Sequence, residues 1–73
     1  MAIQIVMDRT GDSRHSFNPN DARELAKAEQ RFYKLTKIGF TAAVRTGPDQ
    51  VSQIRSFEPT AEETLFFPRL VGG

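Results

Sequence analysis

The chain has 73 residues, with ten Lys and Arg, nine Asp and Glu, one His and no Cys. That length predicts one small domain without room for both a core and a deep substrate cleft, and the lack of cysteine excludes disulfides, thiolate nucleophiles and thiolate metal ligands. A formal net charge of +1, with the basic residues scattered, predicts no strong attraction to nucleic acid or to an anionic membrane.

The N-terminal stretch MAIQIVMDRTG does not have the pattern of a targeting segment. It lacks a basic region followed by a long apolar one, so we expect no secretory signal and a cytoplasmic location. No window of the chain approaches the roughly 20 apolar residues that span a bilayer. We therefore expect no membrane segment.

The same stretch has the alternation of a strand. Ile3, Ile5 and Met7 lie on one side of an extended chain, and the sequence RTGDS that follows is typical of a tight turn. A more polar extended stretch comes next. The pattern predicts a first hairpin of residues 2–8 and 13–17.

The sequence NPND predicts the start of a helix. Asn18 can accept a hydrogen bond from a free N–H of the first turn, Pro19 has no N–H to lose there, and Asp21 favours the positive end of the helix. Good helix formers continue to Ile38, and Gly39 is placed to end the helix. Apolar residues recur at spacings of three and four along this segment and form one stripe: Leu25, Ala28, Phe32 and Leu35.

The second half of the chain predicts three more strands. Alternating residues on both sides of GPDQ indicate a second hairpin, residues 40–46 and 51–57. Thr60 and Glu63 have the spacing of a capping box around a single helical turn. The segment LFFPRL then predicts a last strand, in which Pro68 marks the end of pairing or an exposed edge, because proline cannot donate to a ladder.

This order of elements predicts an α+β domain. A helix with one apolar stripe must bury it against one face of a sheet. At this length, the result is a mixed sheet of four to five strands with one helix packed on one face. That arrangement is the β-grasp.

The element order resembles that of ubiquitin and its relatives, and the end of the chain adds to the resemblance. LFFPRLVGG is similar to the C-terminal segment of the sulfur-carrier proteins of molybdopterin and thiamine synthesis, although those carriers usually have a second proline where Arg69 stands here. Arg69 and Leu70, followed by Val71, also resemble the tail of ubiquitin. The resemblance implies a domain of residues 1–70 and a flexible Gly-Gly tail of residues 71–73. The residues that match the carriers are Glu62, Glu63, Leu65, Phe66, Phe67, Pro68, Val71, Gly72 and Gly73.

The resemblance implies a chemistry for the terminal carboxylate of Gly73. A separate adenylating, E1-like activating enzyme would convert it with ATP to an acyl-adenylate. A sulfurtransferase system would then supply sulfide to give a thiocarboxylate, or a cysteine would take the acyl group and pass it to a lysine of an acceptor protein. Gly72 and Gly73 would form the reacting terminus, because residues without a Cβ fit a narrow passage. The implied partner-binding residues are Phe66, Phe67, Arg69, Leu70 and Val71.

Phe66 and Phe67 are adjacent on a predicted strand and therefore point to opposite faces. One of them is expected in the core, so only the other is available to a partner.

The remaining polar residues have plain structural explanations. His15 is the single histidine, and one histidine without a second ligand does not form a metal site. No nucleophile is paired with a base, so we expect that the chain is not itself an enzyme, requires no cofactor or metal, and is a monomer. Turns and helix caps account for Asp8, Asp12 and Asp21, and a solvated helix flank accounts for Arg23, Lys27, Arg31, Lys34 and Lys37.

Two other functions stay open at this stage. The domain could act as a non-covalent interaction module that binds a partner through its sheet face, with no chemistry at the tail. A nucleic-acid-binding regulator that uses the basic helix flank is the third hypothesis, and the near-neutral charge argues against it. Sulfur carriage and protein conjugation are not separated by the sequence.

Overall fold

A computed structural model of the chain describes residues 1–68. Residues 69–73, which include the predicted site residues Arg69, Leu70, Val71, Gly72 and Gly73, lie outside the described part. The elements in chain order are β1 (Ala2–Asp8), β2 (Gly11–Phe17), α1 (Ala22–Lys37), β3 (Phe40–Gly47), β4 (Gln50–Ile54) and β5 (Glu63–Pro68).

The five strands form one mixed sheet in the order β2-β1-β5-β3-β4. The last strand, β5, lies in the middle, parallel to β1 and antiparallel to β3. The hairpins β1–β2 and β3–β4 flank it and are both antiparallel. The predicted α+β class, with one helix and a mixed sheet, is confirmed for residues 1–68.

The first hairpin is tighter than the sequence predicts. Pairing runs from Ala2 opposite Phe17 to Asp8 opposite Gly11, so β2 begins at Gly11 rather than at residue 13. Asp8 holds the turn, because its Oδ1 accepts hydrogen bonds from the Thr10 backbone N–H at 2.8 Å and from the Thr10 hydroxyl at 2.6 Å. Gly11 has φ of 125°, a value that side chains disfavour.

The hydrogen bonds of this turn lower the pKa of Asp8 from its ordinary value of 3.8, the Thr10 hydroxyl making the largest contribution. A lowered pKa stabilises the fold above the ordinary value, and this contribution is lost as the pH falls through the lowered value. We expect Thr10→Val to raise the Asp8 pKa towards 3.8. The free energy of unfolding should then fall less as the pH is lowered into the acid range. Carboxyl-detected NMR titration measures the shift. Thr10→Ser keeps the hydroxyl and is the matched control, so an equal rise in both variants would contradict the assignment.

The start of α1 differs from the prediction that Asn18 is its N-cap. Asp21 is the cap, and its side chain accepts from the N–H groups of Arg23 and Glu24 at 2.9 and 3.3 Å. The Asn18 side chain instead accepts from the N–H of Asn20 at 3.0 Å, so it closes a turn that precedes the helix. Glu24 accepts from the Asn18 N–H at 2.9 Å and ties this turn to the first helical turn.

The predicted helix end and apolar stripe are confirmed. Ile38 is the C-cap, and Gly39 follows with φ of 110°. Ala28 and Phe32 are fully buried in the stripe, and Leu25 and Leu35 pack against the core from its margins. The helix therefore covers one face of the sheet.

The core between helix and sheet is centred on aromatic rings. Phe32 of α1 packs edge-on against Phe66 of β5, with ring centroids 5.7 Å apart. Phe57, from the connection between β4 and β5, also packs edge-on against Phe32 at 5.9 Å. Because Phe57 contacts Phe17 as well, it joins the two halves of the core.

Two details of the second half differ from prediction. The strand predicted over residues 51–57 ends at Ile54, because Phe57 leaves the sheet to fill the core. The predicted helical turn after it is instead a turn closed by the Ala61 N–H and the Glu58 carbonyl at 3.2 Å. Glu63 belongs to β5 and forms no capping box with Thr60.

Pro68, the last described residue, belongs to β5 and lies opposite Phe40. No helix in residues 1–68 is long and apolar enough to cross a membrane.

Candidate partner-binding surface

The first strand presents two apolar faces, and its larger side chains point away from the helix. Val6 belongs to the same core cluster as Phe32, and Gln4 donates a hydrogen bond from Nε2 to the Ala28 carbonyl at 3.0 Å. Strand alternation therefore puts Ile3, Ile5 and Met7 on the opposite face of the sheet. We call this the outer face.

The register of the sheet assembles an apolar patch on the outer face. Ile5 of β1 lies opposite Leu65 of β5, which lies opposite Ala43 of β3. These three form a buried floor, at 6%, 8% and 1% exposure. We call the following residues the outer-face patch: Ile3, Ile5, Met7, Ala43, Leu65 and Phe67.

Phe67 is the most exposed large side chain of this patch. It is 36% exposed, whereas its neighbour Phe66 is fully buried against Phe32. The expectation that one of the two is in the core is confirmed. Of the residues predicted to bind a partner, Phe67 is the one that the described part of the chain presents to solvent.

One end of the outer-face patch, at Phe67, lies where the described part of the chain ends. Because β5 is parallel to β1, its C-terminal end is at the same edge of the sheet as the turn after Asp8. Phe40, the first residue of β3, flanks it on the other side. Phe67 and Pro68 are thus the last described residues before the segment 69–73.

The far end of the outer face is polar. Arg45 of β3 forms an ion pair with Glu63, the first residue of β5, and donates a second hydrogen bond to the Pro48 carbonyl at 3.2 Å. An exposed pair of this kind contributes little to stability. The two ends of β5 therefore differ, with a charged pair where the strand begins and an exposed phenyl ring where it ends.

The other predicted candidates do not converge on a site. Asp8 acts in a turn, as predicted, and Asp21 is the helix cap in place of Asn18. His15 is half-buried on the helix-facing side of β2. Within residues 1–68, no three His, Asp or Glu side chains are grouped closely enough to hold a metal ion.

Sequence reasoning missed the outer-face patch, although a signal for it was present. In AIQIVM, apolar residues occupy both the odd and the even positions, which is typical of a central strand covered on two faces rather than of an edge strand.

Comparison of the chain with protein-family models, curated proteins and solved structures gives no match.

Proposed function

We propose that the chain is a β-grasp carrier or modifier whose Gly73 carboxylate is adenylated by a partner enzyme for sulfur transfer or conjugation. The observation that carries the proposal is the central position of β5. The strand lies in the middle of the sheet beside an apolar patch, and its last described residue, Pro68, precedes the predicted tail of residues 71–73 in the sequence.

The sheet supports the β-grasp part of the proposal. Two antiparallel hairpins, β1–β2 and β3–β4, flank the central strand β5, which is parallel to β1, and one helix crosses one face. In such an arrangement the last strand, β5, is paired on both sides, with β1 and with β3. The outer face stays available because the helix covers the opposite one.

The chemistry proceeds in two balanced steps. The Gly73 carboxylate oxygen attacks the α-phosphorus of ATP, a bond to that phosphorus forms, and pyrophosphate leaves. Sulfide then attacks the carbonyl carbon and AMP leaves, which gives a thiocarboxylate. If an enzyme cysteine attacks instead, the resulting thioester passes the acyl group to a lysine amine.

The outer-face patch supplies a surface for the activating enzyme. Phe67 offers an aromatic anchor beside a buried aliphatic floor, which is the composition of an energetic centre in many interfaces. Its position at the end of β5 lets one enzyme hold the body and receive the tail.

Intact mass spectrometry tests this function. The 73-residue chain is incubated with an extract of the source cells, ATP and sulfide, beside a variant that lacks Gly72 and Gly73. Exchange of one carboxylate oxygen for sulfur identifies a carrier, and attachment to lysines of other proteins identifies a modifier. An unchanged mass with no conjugates, or equal modification of the truncated variant, would reject the proposal.

A non-covalent interaction module is the second candidate, and the outer-face patch favours it independently of the tail. The patch belongs entirely to the described strands, so a partner can bind it without any acyl chemistry. Complementation of a deletion strain discriminates the two. Full rescue by the chain without Gly72 and Gly73 selects the module, and no rescue selects the carrier or modifier.

A further inference from the structure

A cleft between β2 and α1 lies on the helix side of the sheet, away from the outer-face patch. The cleft is shallow and open to solvent, with a volume of about 480 Å³. Val6 and Leu35 form an apolar base. The polar side chains that line it are Ser13, His15, Lys27, Gln30, Arg31 and Lys34.

The charges of this cleft all have one sign. Lys27, Arg31 and Lys34 follow one another at helical spacings of four and three, so they lie on one flank of α1. No carboxylate is among the lining residues. Within residues 1–68, the one ion pair is Arg45 with Glu63, on the opposite side of the sheet, so none of these cations is ion-paired with a described carboxylate.

Arg31 is held in place by a buried side chain. Its Nη1 donates to Gln4 Oε1 at 2.9 Å, and the Gln4 amide donates in turn to the Ala28 carbonyl. Gln4 is fully buried. A guanidinium oriented in this way loses less freedom when it binds an anion, and its remaining donors stay available.

The second wall of the cleft adds two more hydrogen-bonding side chains, Ser13 and His15. Val6 lies opposite Ser13 and Gln4 lies opposite His15, so both β2 side chains lie on the helix-facing side. A ligand between the walls meets a hydroxyl and an imidazole on one side and cations on the other.

We propose that this cleft binds a small, multiply charged anion of the oligophosphate class. Tetrahedral phosphate groups accept hydrogen bonds in several directions, as a lining rich in donors requires. The cations occupy positions over about 10 Å of helix, so a chain of two or three phosphates engages more of them than a single phosphate does. This site is independent of the tail chemistry.

Isothermal titration calorimetry on the 73-residue chain tests the proposal with inorganic tripolyphosphate, ATP and monophosphate as probes. We expect tripolyphosphate to bind, monophosphate to bind at least about tenfold more weakly because it meets fewer cations, and added salt to weaken both. If ATP binds more tightly than tripolyphosphate, the apolar base contacts the nucleoside. If the two bind equally, the site recognises the phosphates alone. Either result supports the proposal.

A matched pair of double variants locates the site. Lys27→Gln with Lys34→Gln removes two cations that line the cleft, whereas Arg23→Gln with Lys37→Gln removes two from the same helix outside it. We expect the first pair to weaken tripolyphosphate binding about tenfold or more and the second to change it little. Circular dichroism confirms that both variants fold.

Four results would overturn the proposal. They are an absence of tripolyphosphate binding at millimolar concentration, equal weakening by both double variants, tighter binding of a glutamate-rich peptide, and tighter binding of a single-stranded oligonucleotide.

Discussion

Replacing Phe66 with alanine is expected to lower the free energy of unfolding by about 3–5 kcal/mol. Phe66 is fully buried, its ring meets Phe32 edge-on at 5.7 Å, and Val6 and Ala42 belong to the same cluster. A domain of this size has a thin margin of stability, so the variant should be largely unfolded at 25 °C. Urea denaturation followed by circular dichroism measures the change.

Phe67→Ala is the matched control, because it deletes the same side chain from the neighbouring position. Phe67 is 36% exposed on the outer face, so we expect a loss of only about 1 kcal/mol, the typical cost of a partly exposed strand position. Equal losses in the two variants would contradict the assignment of Phe66 to the core and Phe67 to the surface.

The features that could be predicted from the sequence are those set by local chemistry. The apolar stripe of α1 requires only a spacing of three and four, and Gly39 ends the helix because it adopts φ of 110° without strain. Each of these outcomes depends on one residue and its immediate neighbours.

The features that could not be predicted depend on competition between residues of similar chemistry. Asn18 and Asp21 can both cap a helix, and the sequence alone does not reveal that the Asn18 side chain is engaged by the N–H of Asn20. Likewise, Glu63 has the spacing of a capping box with Thr60, but its carboxylate pairs with Arg45 across the sheet. Arg45 is 18 residues away in the sequence, so no local pattern indicates this pairing.

The two faces of β1 were also hidden from sequence reasoning. Ile3, Ile5 and Met7 have the stronger apolar signal, yet Gln4 is on the side that meets the helix. A glutamine is stable there because the Ala28 carbonyl and Arg31 satisfy both ends of its amide. This placement moves the larger apolar side chains to the outer face and creates the patch beside Phe67.

Phe67→Asp is expected to reduce the rate of ATP-dependent modification at Gly73 by about 30-fold or more, the effect typical of losing an aromatic hot spot. The reason is the position of Phe67 on the outer-face patch, at the end of β5, where an activating enzyme must hold the body while it receives the tail. Burying a carboxylate at that position against an apolar partner surface carries a large desolvation cost. Intact-mass measurement of the modified fraction over time gives the rate.

Val51→Asp is the matched control for this prediction. Val51 is 53% exposed and lies opposite Arg45 on the outer face, near the start of β5 rather than its end. The two substitutions add the same charge to exposed strand positions of the same face, so a general effect of charge or of strand propensity would appear in both. We expect the Val51 variant to react at nearly the rate of the unaltered chain. If both variants retain full activity while folded, the enzyme does not use the outer-face patch; if both lose it equally, the effect is not specific to the end of β5. Selective loss in the Phe67 variant would tie the reaction at the tail to the strand that carries it.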